Sequence, residues 1–501
     1  MFNSCNYRII IQNYLLIVRK YNKIAALQKF IDYTLYIMKG MVFMETKLEK
    51  KYGLLTAIAM VVGIVIGSGV FFKAEKVLTA TGGNLTLGIL AWVIGGIIMI
   101  ACAYTFAVMS TKYQYVNGVV DYAEATMGRK YGYYVGWFMA LIYYPTLTSV
   151  LAWVSARYTS VLFGFSITGG ECMTIAALFL IGSYALNALS PVLAGKFQVS
   201  TTIIKLIPLI LMAIVGTIVG ISSGMTVNNF TTVVTKISTT NALFTAVVAT
   251  AFAYEGWIIA TCINAELRDA KKNLPLALVG GTFTIMVVYI LYYIGLAGAV
   301  PNEVMMAGGE AGAKLAFQTV FSTLGGSLIF VFVIISCLGT LNGLMLGCTR
   351  GLYSIAVRGF GPKPNVYNQV DSMTNMPTNS SIFGLLLCGI WLFFFYGANL
   401  TNPWFGFFCF DSSELPIVTI YAMYIPIFFM MIKREKDLNF FNRFVAPTVA
   451  LAGCVFMIIA ACFSHKMAVV AYLIIFAVIM GIGAMYANKK VESNKSLETM
   501  M

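Results

Sequence analysis

Residues 63–72 read GIVIGSGVFF, and within them Gly67, Ser68 and Gly69 place a flexible triplet in the middle of an apolar run. Glycine destabilises helix interiors, so the run reads as a helix that stops and resumes. The surroundings are apolar enough for a bilayer, where an unpaired N–H or C=O costs several kcal/mol. Irregular backbone survives there only if it is buried in protein or lines a cavity. The break is therefore a candidate site.

The rest of the chain supplies the membrane. Of 501 residues, 59% are hydrophobic and only 10% charged, with a mean hydropathy of +0.84. A bilayer-spanning helix takes roughly 20 apolar residues. The apolar runs are far longer and less alternating than the roughly ten-residue strands of a β-barrel. They divide into about twelve spans, at 54–78, 84–110, 133–163, 174–190, 197–222, 242–264, 275–300, 324–357, 379–398, 403–432, 444–464 and 467–487. The expected fold is an all-α polytopic membrane protein, with the weakest boundary near Asn402, between spans nine and ten.

The net charge of +14 would suggest nucleic acid for a soluble protein, but its distribution points to a membrane. From Met44 onward, one set of alternate loops and span ends carries twenty Lys and Arg. The opposite set carries six: Lys73, Lys76, Arg157, Lys236, Lys314 and Lys466. The positive-inside rule then places both termini in the cytoplasm. Residues 1–43 fit this plan poorly, because the apolar run at 9–18 is too short to span and no cleavage site follows it. They read as an extension preceding a true start at Met44, or as a surface-lying basic helix. Ten scattered cysteines without a C-x-x-C pair, and the single histidine His465, support neither a metal nor a redox site.

Polar groups inside spans cost roughly 2.5 to 3.5 kcal/mol for a central charge, so they need a reason to persist. Away from span ends there are four: Lys205 in span five, Glu255 in span six, and Asp411 with Glu414 in span ten. Around Glu255 lies a second weak point, Phe252, Ala253, Tyr254, Glu255, Gly256 and Trp257 (FAYEGW). Two interrupted helices at matching positions of two five-span halves point to an inverted-repeat transporter. Where span one resumes after Gly69, free N–H groups and the positive end of the helix dipole suit a carboxylate. Free carbonyls near Val65 and Ile66, and at the end of the first half of span six, suit an ammonium group. A zwitterion is recognised this way without any charged side chain.

These residues resemble the amino acid, polyamine and organocation transporter superfamily, close to its sodium-independent amino acid permease and exchanger branch. The likeness runs over about residues 50–487. It is carried by GIVIGSGVFF, by Asn117, Gly118, Tyr122, Gly128, Gly136 and Trp137, and by FAYEGW followed by Glu266, Lys271, Lys272, Asn273, Leu274 and Pro275. Span eight adds Gly339, Thr340, Leu341, Asn342 and Gly343, with Arg350, Leu352, Tyr353 and Ser354 beyond.

The resemblance implies a LeuT-like fold: ten core helices in two inverted repeats, at 44–222 and 223–432, with helices one and six discontinuous. Two more helices at 433–487 and a cytoplasmic tail at 488–501 follow. By position, Gly67, Ser68 and Gly69 would hold a substrate carboxylate, and carbonyls of Val65, Phe252 and Glu255 its amino group. Phe252 resembles an aromatic lid, and residues 303–321 resemble an amphipathic outer loop. Lys205 resembles a fifth-helix lysine that stands in for a sodium ion between helices one, five and eight. It lies about eight residues into its span, about 12 Å at the helical rise, which is deep for a snorkelling lysine. Glu255 departs from the commoner glycine or aspartate. It either contacts a cationic substrate, is protonated, or is paired within the protein. Asp411 and Glu414, at i and i+3, can share a helix face. Pairing with serines or backbone and a proton-coupling role are both open for them.

The expected function is secondary amino acid transport across the plasma membrane by alternating access. It would be sodium-independent, through exchange or proton-driven uptake. The alternatives are a polyamine or cationic amino acid antiporter and a transporter-like membrane sensor. No nucleophile, base and orienting group share a motif, so no enzyme chemistry is expected. No cofactor or metal is implied, and the expected partners are a small-molecule amino acid and the lipid bilayer, with no nucleic acid.

Overall fold

In the computed structural model, the described residues are 53–487 apart from 68, 114–117, 259–266, 372–373, 375 and 401. The readings placed on residues 1–43, on Ser68 and on the tail 488–501 lie outside them.

The described residues are mostly helical, and ten of the helices among them are long and apolar enough to cross a membrane. In order, α1 (Leu54–Val65) and α2 (Gly69–Ala80) flank the first break. Then come α3 (Leu85–Lys112), the short α4 (Val119–Met127), α5 (Arg129–Phe163) and α6 (Gly170–Leu189). The helix α7 runs from Pro191–Ile204 through Leu206–Leu211 to Thr217–Ser222. The short α8 (Met225–Thr231) leads to α9 (Thr239–Ala253), which stops at the second break, and to α10 (Ala270–Ala299). After α11 (Asn302–Gly308) comes α12 (Glu310–Ala356). The final four are α13 (Thr378–Ala398), α14 (Leu415–Arg434), α15 (Phe441–His465) and α16 (Met467–Tyr486).

Both interruptions fall where the glycines forecast them. At the first, Ile66 turns extended (φ −65°, ψ 110°) after α1. At the second, Tyr254 leaves helical geometry (φ −90°, ψ 3°) and Gly256 takes φ +107°, a conformation that favours glycine. Aromatic packing fixes Tyr254 in place. Its ring meets Trp92 of α3 edge-on at 5.5 Å and stacks on Tyr289 of α10 at 5.3 Å, while its hydroxyl donates to the Trp92 carbonyl at 2.9 Å.

Span ten needs correction. The apolar run from 403 is not helical until Leu415; it holds only a single 3₁₀ turn at Gly406–Phe408. Asp411 and Glu414 therefore lie in a turn ahead of α14 and do not share a helix face. The cause is local: the Asp411 carboxylate accepts both the N–H and the hydroxyl of Ser413, offering the backbone an alternative to helix, and Pro416 then suits a first helical turn.

The proposed outer loop at 303–321 forms α11 and the start of α12, which is broken by Phe321 and Ser322, the latter at φ +66°. It is pinned to the end of α5: Lys314 donates to the Val161 carbonyl at 3.0 Å, and Arg157 pairs with Glu310 at 2.7 Å while lying over the Trp153 ring. At the opposite end of the bundle, Arg358 beyond α12 holds Asp121 of α4 at 2.5 Å and Glu124 at 3.3 Å. Nearby, Lys112 pairs with Glu435 and Asp437, and Tyr113 donates to Glu435 at 2.6 Å. Burial and the adjoining Glu435 carboxylate push the Tyr113 phenol up to about 12, so it remains a donor at neutral pH.

Candidate functional site

The two breaks meet. A β-carbon added to Gly69 would lie 2.5 Å from the Ala253 Cα and 3.1 Å from the Phe252 carbonyl oxygen, so only glycine lets α2 come this close to the end of α9. A β-carbon on Gly67 would fall 2.2 Å from Oγ1 of Thr340 on α12. Thus Gly67, Gly69, Phe252 and Ala253 share one small region, and Val65 and Ile66 close it from the other half-helix. The side chain of Phe252 meets Phe72 edge-on at 5.9 Å and is almost fully buried.

One residue ties both breaks together. The Tyr289 hydroxyl of α10 stands 3.3 Å from the Val65 carbonyl and 3.1 Å from the Ala253 carbonyl, its single proton shared between the two acceptors. These are terminal carbonyls of two interrupted helices, which need partners outside their own helix. The Val65 carbonyl assigned to a substrate ammonium is thus already in contact with a protein hydroxyl, although a carbonyl retains a second lone pair.

Lys205 is buried at an interruption of α7 and donates from Nζ to the Gly63 carbonyl of α1. Close packing brings it there. The methyl of Thr202 fills the space left by the missing side chain of Gly63, and Thr201 does the same at Gly339 of α12. The ammonium therefore sits where α7 is wedged between α1 and α12. One turn away in α12, Asn342 bonds Asn187 of α6 at 2.9 Å and Gln198 of α7 at 3.2 Å, linking the three helices with a polar cluster.

Glu255 does not stand free beside the break. Its carboxylate accepts from the Tyr143 hydroxyl. Tyr143 ends the π-helical turn Met139–Tyr143 inside α5, where an extra residue per turn re-aims the side chain. One Glu255 oxygen is thereby engaged within the protein.

Glu414 meets Lys73 of α2 at 2.5 Å and His465 of α15 at 3.0 Å. Asp411 is joined to this group through Ser413. The sequence singles out neither Lys73, grouped with outer charges, nor His465, Tyr143 and Tyr289. A lysine only four residues beyond Gly69, too deep to be a loop charge, was the one available signal.

Taken as chemistry, the region offers backbone donors and acceptors at two helix breaks, an internal cation and, among the described residues, no nucleophile paired with a base. Such a set suits a secondary transporter in a helical membrane bundle. The sequence pattern of the amino acid permease family matches residues 52–485, and the chain belongs to that family. It is similar to the serine/threonine exchanger SteT of Bacillus subtilis, at 30% identity over 83% of this chain and 91% of the relative. It is also similar to the rabbit b(0,+)-type amino acid transporter 1, at 27% identity over 66% and 68% of the two chains. A third relative, the glutamate/serine transporter AimA of Bacillus subtilis, is 23% identical over 70% and 67%. The protein is an amino acid permease of the membrane, not an enzyme.

Proposed function

We propose that the protein exchanges neutral amino acids across the plasma membrane without sodium. The observation that carries this reading is the Lys205 ammonium on the Gly63 carbonyl, a fixed charge at a helix where a mobile cation would otherwise be needed. Substrate is held by its backbone groups: the carboxylate at Gly67, Ser68 and Gly69, where α2 begins, and the amino group at carbonyls of Val65, Ile66, Phe252 and Glu255, with Ala253, Tyr254 and Gly256 shaping the break. Neutral substrates are favoured because Glu255 is engaged by Tyr143 rather than aimed at a cation. The same observation weighs against a polyamine or cationic amino acid antiporter.

Exchange, rather than proton-driven uptake, is supported by the name of the similar serine/threonine exchanger. Twelve crossings, two inverted repeats at 44–222 and 223–432, and cytoplasmic termini complete the reading. They rest on the paired breaks and on the Lys and Arg distribution of the loops.

The test is uptake into liposomes containing the purified protein. Labelled serine should enter only when the lumen holds an unlabelled neutral amino acid, and at the same rate with sodium or choline outside. Uptake into empty liposomes driven by a proton gradient would replace exchange with symport. Failure to move any amino acid under any gradient would remove the transport reading.

A further inference from the structure

Lys73 and His465 converge on one carboxylate from opposite sides. Lys73, one turn beyond Gly69 on α2, is fully buried, with Nζ 2.5 Å from Oε1 of Glu414 and 3.0 Å from Oγ of Ser413. His465, the last residue of α15, places Nε2 3.0 Å from the other oxygen, Oε2. Asp411 holds Ser413 through Oδ1 at 2.5 Å. The ammonium also stands 5.4 Å from the Phe252 ring at the end of α9 and 5.0 Å from Phe72. The cluster thus touches the lid residue of the candidate site.

The neighbouring charges are few. On α2, Glu75 accepts from Thr79, and Lys76 is exposed over the outer side of Phe72. The helix α9 brings no titratable side chain to the cluster, α16 brings only Tyr472, bonded to Thr419 of α14, and Lys466 after His465 is exposed. With a neutral imidazole, Lys73 alone faces the two carboxylates of Asp411 and Glu414. With an imidazolium, two positive groups balance two negative ones.

We propose that Lys73, Glu414 and His465 form a proton-sensitive latch on the outer side of the substrate path, in which Lys73 fastens α2 to the entrance of α14 and protonation of His465 eases its release. The inference rests on the transport reading above and adds to it that α2 parts from the start of α14 when the outer path opens. If Lys73 leaves while the imidazole is neutral, Glu414 loses its only cationic partner among the described residues, and an unpaired buried carboxylate is costly. An imidazolium remains as partner and lessens that cost. External acid therefore raises the population of the outward-open state, and with it the apparent affinity for external substrate.

The experiment measures serine exchange in right-side-out membrane vesicles preloaded with unlabelled serine, at external pH of about 5.5 and about 7.5, which bracket the ordinary histidine range. The external half-saturation concentration of the unmodified protein should fall about threefold in acid, as a modest population shift requires. His465→Asn should exchange normally but lose the pH response, and His465→Arg should keep the acid value at both pH values. Lys73→Met should show a low external half-saturation at both, with the internal value not lowered; should that variant not fold, the His465 pair alone decides. A pH response that survives His465→Asn overturns the latch, as does a Lys73→Met change equal on both sides. Absence of exchange by the unmodified protein overturns the transport reading and the latch with it.

Discussion

Gly69 and Ala253 lie in backbone contact across the two helix breaks, so close that a single added carbon would stand 2.5 Å from the Ala253 Cα. The close approach places the N-terminal end of α2 against the C-terminal end of α9, two helix ends of opposite partial charge.

Gly69→Ala should therefore abolish exchange while the protein still inserts and purifies. Overpacking of this kind costs roughly 1–3 kcal/mol, enough to push the half-helices apart without unfolding a bundle of this size. Uptake in liposomes set against thermal stability in detergent reads the two effects separately. Wild-type uptake by the alanine variant would show that the contact is not part of the site.

Lys205→Ala removes the donor to the Gly63 carbonyl and leaves that buried acceptor without it. The cost is about 1–3 kcal/mol. Exchange should fall at least about tenfold, the factor that 1.4 kcal/mol represents. If added sodium leaves the residual rate unchanged, the vacated position does not accept a mobile cation; recovery with sodium would show directly that the ammonium occupies a cation position.

Tyr289→Phe keeps the ring that stacks on Tyr254 but deletes the hydroxyl that joins Val65 to Ala253. Each hydrogen bond is worth about 0.5–1.5 kcal/mol. The expected result is a slower turnover with little change in melting temperature. Unaltered kinetics would mean that the two breaks do not need this tie during the transport cycle.

Glu255→Gln preserves an acceptor for the Tyr143 hydroxyl, so exchange of neutral amino acids should stay within about threefold of wild type, the scale of a weakened hydrogen bond. Tyr143→Phe leaves the carboxylate without that donor and should be the more damaging change. Competition by a panel of neutral and cationic amino acids checks both. Selective loss of cationic competitors in the glutamine variant would return Glu255 to the substrate.

The all-helical membrane character, with ten long apolar helices, and both interruptions were legible because each is a local property: apolar length fixes a span, and glycine among apolar residues marks a break. Lys205 was legible for a similar reason, as a charge too deep to reach the interface. The partner of Glu414 was not, since Lys73 lies 341 residues away and nothing near either residue encodes their meeting. Tyr289 and Tyr143 sit among other aromatics in apolar runs, and only the folded bundle separates a hydroxyl that ties two helix ends from one that merely packs. Span ten was misplaced because hydropathy counts the Phe-rich stretch at 404–410 as membrane, whereas Asp411 and Ser413 close a turn there.

The ammonium of Lys205 is bound to the chain by its own side chain and cannot cross with the substrate. On the exchange reading, no ion gradient enters the balance, and each turnover replaces one molecule with another. The quantity held constant is then the total number of amino acid molecules on each side, while their identities change. Such a carrier is osmotically silent: it lets a cell alter the composition of its amino acid pool without altering its size, and its direction is set by the ratio of the two substrates' inside-to-outside concentrations.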